Sequence, residues 1–253
     1  NAYTEAARRA AEFIWEELRG DGGRLLKRWR QGHSGLPGHL DDYAYLIWGL
    51  LELYEATFSP LHLERASGLA GRMIELFWDE EEGGFFFTAS GELLVRKKEF
   101  YDGAMPSGNS VAALTLMRLG RLLARPEWEE KGYRVLEAHG AQLERSPGAF
   151  TALLAALSFS AAGGQEITVA GRPGYADTTA MLDALRTPFL PNAVVAFRPE
   201  PEDTSDITRL APYTEAQRAQ YGRATAYVCR DQACEQPVTD PDRMLEQIEG
   251  LAT

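Results

Sequence analysis

Apolar residues recur at helical spacing through the first two-thirds of the chain. Between residues 3 and 19 they fall at Ala6, Ala10, Phe13, Ile14 and Leu18, one stripe of an amphipathic helix that Gly20-Asp21-Gly22-Gly23 ends. Residues 23–30 read as a short extended segment. A second helix is predicted over 40–57. It is apolar almost all round, through Tyr43, Leu46, Ile47, Leu50, Leu51 and Tyr54, which implies burial on most faces. A third, over 60–78, carries proline near its first turn and a narrower stripe. Residues 83–96 read as a β-hairpin, with Phe85-Phe86-Phe87 and Leu93-Leu94-Val95 on either side of Ala89-Ser90-Gly91. Three more helices are predicted: 106–123, rich in small and apolar residues; 126–143, more charged; and 147–162, nearly all apolar.

Amphipathic and buried helices thus alternate. Ala6, Phe13, Ile14, Gly23 and Leu25 align with Ala66, Met73, Ile74, Gly83 and Phe85 at an offset of about sixty residues, a faint hairpin-length repeat. Inner and outer helices alternating at that period define an α/α toroid, here a partial one of the six-hairpin glycosidase type over residues 1–163. A simple four-helix bundle has no need of one set of helices so apolar. The last third differs. Strands are predicted over 166–170, 193–197 and 224–229, and helices over 177–186 and 240–251, the last with Asp240 as N-cap and Pro241 at its first position. Strand, helix, strand predicts a small parallel β-α-β unit, so residues 164–253 form a small α/β extension packed on the toroid.

The net charge of −11 argues against nucleic acid and anionic membrane as partners, and the longest apolar runs are too interrupted to span a bilayer. No positively charged leader with an apolar centre opens the chain, and the expected compartment is the cytoplasm. Cys229 and Cys234 are the two cysteines, and none of the four histidines (His33, His39, His62, His139) lies near them in sequence. Neither a zinc site nor a catalytic redox pair is expected there; ordinary strand-and-turn packing is. No metal or cofactor is predicted elsewhere.

If the inner helices run parallel, their N-termini and the connections that precede them share one end of the toroid: residues 29–42, 78–95 and 97–109. Those segments carry Trp29, His33, Gly38-His39-Leu40-Asp41-Asp42-Tyr43, Trp78-Asp79 and Tyr101-Asp102-Gly103-Ala104-Met105-Pro106-Ser107-Gly108-Asn109. Aromatic planes interspersed with carboxylates, amides and imidazole suit a sugar. Asp41, Asp42 and Asp102 are the candidate catalytic carboxylates, for glycoside hydrolysis or, with histidine, for proton abstraction beside a carbonyl. His39, Tyr43, Trp78, Tyr101, Ser107 and Asn109 are the candidate ligand-binding side chains. Each has a structural alternative: Asp41 and Asp42 as helix caps, Asp102 as a turn former, His39 as a buried structural histidine, and the Phe85–Phe87 run as strand core. Gly171-Arg172-Pro173-Gly174 ahead of Asp177 reads as a turn and cap rather than a nucleotide motif.

Gly38-His39-Leu40-Asp41-Asp42-Tyr43-Ala44, the stretch Phe77-Trp78-Asp79 through Gly83-Gly84-Phe85-Phe86-Phe87-Thr88, Tyr101 through Ser110, and the closing Ala226-Tyr227-Val228-Cys229-Arg230, Cys234, Pro237 and Thr239-Asp240-Pro241 resemble the YyaL-type thioredoxin-domain-containing proteins, with which the spermatogenesis-associated thioredoxin-like proteins of animals belong. The resemblance covers nearly the whole chain. It implies a longer protein in which a thioredoxin-like domain precedes an α/α toroid similar to six-hairpin glycosidases and acylglucosamine epimerases. The chain then reads as a C-terminal fragment. Its expected partners are that N-terminal thioredoxin-like domain, the remaining toroid half and a carbohydrate-like small molecule; a non-catalytic scaffold serving the thioredoxin-like domain is the alternative. Half a ring leaves inner-helix flanks uncovered over 40–57 and 106–123, so the isolated chain is expected to self-associate unless the missing N-terminal half is present to cover them.

Overall fold

The computed structural model describes residues 2–89, 95–200, 205–230 and 233–250. They are mostly helical and divide into two compact units, Asn1–Met117 with Glu127–Leu157, and Arg118–Pro126 with Ser158–Thr253.

The first unit opens with α1 (Ala2–Glu17), which buries none of its residues fully. It is attached through charge and one aromatic face. Arg65 donates to both carboxylate oxygens of Glu12, at 2.7 and 3.0 Å, and its guanidinium lies 4.6 Å from the Trp15 ring. After the glycine-marked turn come β1 (Leu26–Arg30) and β2 (His33–Pro37), an antiparallel pair. Gln31 and Gly32 both adopt positive φ, 52° and 78°, at the two-residue turn between them. Only β1 falls within the predicted extended segment. The turn lacks the usual Asn-Gly signal, and both strands are largely exposed, so no alternation marks β2.

α2 (Leu40–Thr57) and α3 (Pro60–Phe77) follow, joined by Phe58 in the left-handed conformation and Ser59. Tyr43, Ile47, Leu50, Leu51 and Tyr54 pack toward Leu63, Ala66, Ala70, Met73 and Phe77, spacings that put one face of each helix inward. Tyr43 meets Phe77 edge to face, centroids 5.3 Å apart. α2 is less enclosed than its composition predicts, for Trp48 is 37% exposed and Tyr45, Leu46 and Gly49 share that open flank. Phe85 to Phe87 make no strand: Phe85 forms an isolated bridge with Trp78, and the Phe87 amide donates to the Lys97 carbonyl at 2.8 Å. Residues 90–94, the predicted turn and most of the second hairpin arm, lie outside the described residues.

α4 (Gly108–Leu122) is buried along nearly its whole length, α5 (Pro126–Arg145) buries Trp128, Gly132, Val135, Leu136 and Leu143, and α6 is Thr151–Ala161. The predicted open flank is thus a property of α2 and not of α4. Pro147–Ala149 forms a separate 3-10 turn before α6.

In the second unit β3 (Gln165–Gly171) leads through α7 (Ala176–Leu185) to the parallel β4 (Ala193–Pro199), the predicted β-α-β unit. α8 (Ser205–Leu210) comes next. β5 (Thr225–Arg230) then pairs antiparallel with β3, and β6 (Ala233–Cys234) with β5, in the order β4-β3-β5-β6. β3 is central and buried on both faces, hence its near-continuous apolar run. α9 (Pro241–Gly250) starts on Asp240, whose carboxylate accepts from the amides of Asp242 and Arg243. Cys229 and Cys234 face each other across β5 and β6 and are disulfide-bonded, so the expectation of unlinked packing is corrected. That strand pairing sets the two cysteines directly opposite each other, which their spacing alone does not reveal.

Gly132 marks a close helix approach in the first unit: a Cβ there would stand 2.6 Å from Cγ of Met117 and 2.9 Å from the Ala113 carbonyl oxygen. Gly132→Ala is expected to lower stability by about 1–3 kcal/mol despite alanine's better helix propensity, read as a lower urea midpoint at unchanged m-value.

Candidate functional site

Helices α2, α4 and α6 begin close together, tied by the segments that precede them. The Leu40 amide donates to the Phe87 carbonyl at 3.1 Å. Asn109, fully buried, accepts from the Phe85 amide at 2.7 Å and donates to the carbonyls of Phe85 and Glu99 at 2.8 and 2.9 Å. The Tyr45 hydroxyl donates to the Pro106 carbonyl at 2.8 Å. The three predicted mouth segments are therefore one hydrogen-bonded assembly.

Each of the three aspartates serves a different helix start. Asp42 accepts from the amide of His39 at 2.7 Å, the backward arm of a capping box on α2. Asp102 lies well outside α6 in sequence yet caps it: one carboxylate oxygen accepts from the Ser107 amide at 2.8 Å, the other from Ala152 and Leu153 at 2.9 and 3.2 Å. Asp41 accepts from the backbone of Gly108, the first residue of α4. A Cβ at Gly108 would overlap Oδ1 of Asp41, so only glycine allows that approach. Negative charge at three gathered helix N-termini is electrostatically matched to their dipoles.

The remaining candidates divide by what they touch. Ser107 caps α4, its Oγ accepting from the Ser110 amide at 3.1 Å and lying 2.9 Å from Ser110 Oγ. Tyr43 points inward, its hydroxyl accepting from the Leu25 amide at 2.9 Å, and burial holds its pKa above the ordinary phenol value. Trp78 meets Phe85 edge-on and carries Lys131 and Arg134 against its ring. His39 packs on Phe87 and sits 3.2 Å from Lys27 Nζ. Tyr101 is 70% exposed on the surface. Tyr43, Asp102, Ser107 and Asn109 thus bind backbone or one another within the assembly.

Asp41 and Asp42 line a groove of about 690 Å3 between α1 and α2, walled by Ala10, Ile14, Leu18, Tyr45, Leu46 and Leu50, with Lys27 and Met105 at its edge. Burial, then the neighbouring carboxylates of Glu99 and Asp42, push the Asp41 pKa upward, and the Gly108 amide partly offsets them. A second hollow of about 290 Å3, between Trp48, Pro106, Leu114 and Thr151, lies near Tyr45, whose ring is 6.1 Å from that of Trp48. Sequence reasoning omitted Tyr45, Lys27 and Glu99 from the site. Tyr45 was accessible, since it stands four residues after Asp41 on a helix and shares its face. Glu99 and Lys27 come from irregular or exposed segments with no periodic signal. Among the described residues no group of three His, Cys, Asp or Glu side chains is placed to hold a metal ion, and no helix is long and apolar enough to cross a membrane.

No family model matches the chain. It is similar to spermatogenesis-associated protein 20 of Homo sapiens, 35% identical over 230 residues, which cover 87% of this chain and 29% of the human protein. The protein of the same name from Rattus norvegicus is 36% identical over 81% of this chain and 26% of its own length. An uncharacterized protein of Caenorhabditis elegans is 27% identical over 98% of this chain and 34% of its own. The chain is thus a homologue, over most of its length, of one part of spermatogenesis-associated protein 20, and it spans less than a third of the mammalian relatives it matches.

Asp102 and Asp41 are expected to respond oppositely to substitution. Asp102→Ala strands the amides of Ser107, Ala152 and Leu153 and should cost about 3 kcal/mol in urea unfolding. Because the folded-state pKa of Asp41 is raised, its contribution to stability is present at low pH and lost as pH rises through that raised value. Asp41→Asn should therefore be at least as stable as the parent at pH 7, with any advantage vanishing below about pH 4. A pH series of thermal melts checks both the sign and the window.

Proposed function

We propose that this chain is part of a longer protein of the spermatogenesis-associated protein 20 kind, that its helices form part of an α/α toroid, and that the groove beside Asp41 binds and transforms a carbohydrate-like ligand. The observation that carries this reading is Asp41 itself: a partly buried carboxyl with a raised pKa, at the mouth of an apolar groove, with a second carboxylate, Glu99, close enough to raise it further. A carboxyl that holds its proton more tightly than usual is suited to donate to a leaving oxygen, while a neighbouring carboxylate can stabilise positive charge or take a proton. Tyr45 and Trp48 offer aromatic faces beside it, and Lys27 a cation. In this reading Asp42 and Asp102 hold the helix starts that set Asp41 in place, and His39, Ser107, Asn109, Tyr43, Trp78 and Tyr101 shape the surrounding wall and rim.

A second reading, a non-catalytic scaffold for a thioredoxin-like domain of the longer protein, draws on one feature. The groove wall is mostly aliphatic, and α1 presents Ala7, Ala10, Ala11 and Ile14 to it with no residue fully buried, a surface that also suits another helix of the same toroid.

The two separate on the full-length parent. A screen of glycans and sugar phosphates should find a ligand, and Asp41→Asn should reduce its turnover by at least about 100-fold, the usual range for a lost general acid, with the fold intact. Unchanged turnover in Asp41→Asn, or no ligand for a well-folded parent, would favour the scaffold.

A further inference from the structure

The disulfide lies in the second unit and has surroundings of its own. Cys229 on β5 is 4% exposed and packs with Ala170, Tyr227 and Ala219, whereas Cys234 on β6 is open to solvent. The bond closes a loop of sequence separation 5, so it constrains the unfolded chain little. The hairpin is also held without it. The Glu235 amide donates to the Val228 carbonyl at 2.9 Å, and Ala226 and Val238 exchange backbone hydrogen bonds at 2.8 and 3.1 Å.

Gln217 is the second observation. Its side chain is buried and its Nε2 lies 3.7 Å from Cys229 Sγ and 4.0 Å from Cys234 Sγ, while its Oε1 has no partner among the described residues. A disulfide has no proton to give that oxygen, and a thiol has. The oxidised state leaves a buried acceptor unsatisfied that the reduced state can satisfy.

We propose that Cys229 and Cys234 form a reversible thiol–disulfide exchange site whose co-substrate is a dithiol reductant. A thiolate of the reductant attacks Sγ of Cys234, the exposed sulfur. A mixed disulfide forms, the Cys229–Cys234 bond breaks, and Cys229 leaves as a thiolate beside the Gln217 amide N–H and takes up a proton. The second thiol of the reductant then attacks its own sulfur in the mixed disulfide and releases Cys234, which is protonated in turn. Two electrons and two protons pass to the cysteine pair, and the reductant ends as a disulfide.

Equilibrating the folded 253-residue chain in glutathione buffers of graded ratio, then quenching with acid and alkylating the thiols for mass spectrometry, tests this. Glutathione is the probe here, and two of its molecules replace the dithiol. Both cysteines should become alkylated together within the buffer range, with the circular dichroism spectrum unchanged. Gln217→Leu should shift the exchange equilibrium about tenfold toward the disulfide, because the reduced state loses its acceptor. The proposal is overturned if the bond survives the most reducing buffer until denaturant is added, if reduction and loss of fold coincide, or if Gln217→Leu folds and leaves the equilibrium unmoved. A variant that fails to fold leaves the decision with the parent chain's own titration.

Discussion

Neutralising gathered helix N-termini is the constraint around which the first unit is arranged. α2, α4 and α6 start side by side, each with amides its own helix cannot satisfy. Asp42, Asp41 and Asp102 answer them in turn, two from across a chain crossing. Asn109 completes the arrangement by binding the segment at Phe85 and the one at Glu99 to the start of α4. Loss of any one of these contacts exposes the others to water, so they act as a network.

The same assembly gives three similar carboxyls different surroundings. Asp102 has both oxygens committed to amides, and Asp42 holds the end of its own helix. Asp41 meets a single glycine amide on one side and the groove on the other, beside two more carboxylates. A raised proton affinity results from that crowding and burial. Three amides reach Asp102, whereas Asp41 and Asp42 each accept from one, and Asp41 has the more crowded and buried carboxyl surroundings.

Much of this was legible in the sequence, for identifiable reasons. The stripe spacing of Tyr43, Ile47, Leu50 and Tyr54 placed α2, and Pro60, Pro126 and Asp240-Pro241 marked where helices start. Helix alternation alone led to the expectation that the segments before the inner helices share one end, and the links Leu40–Phe87 and Phe85–Asn109 join parts of all three. What escaped were features made by partners distant in sequence. Asp102 caps a helix some fifty residues away, which no local pattern encodes. The β1–β2 turn uses Gln31 at positive φ, a residue that gives no turn signal. The two-residue β6, too short to carry a strand pattern, brings Cys234 opposite Cys229.

That short strand also decides how the second sheet ends. A strand edge with free amides and carbonyls is a template on which another chain can add. β4 closes one side of the sheet and runs into Pro199, which has no amide to offer. On the other side β5, an almost wholly buried and apolar strand, is flanked by β6 and by the segment through Val238. Two residues make a poor template, and the backbone bonds of Glu235 and Val238 hold the segment that follows them against β5. The sheet thus ends on a strand too short to offer a neighbouring chain much to pair with.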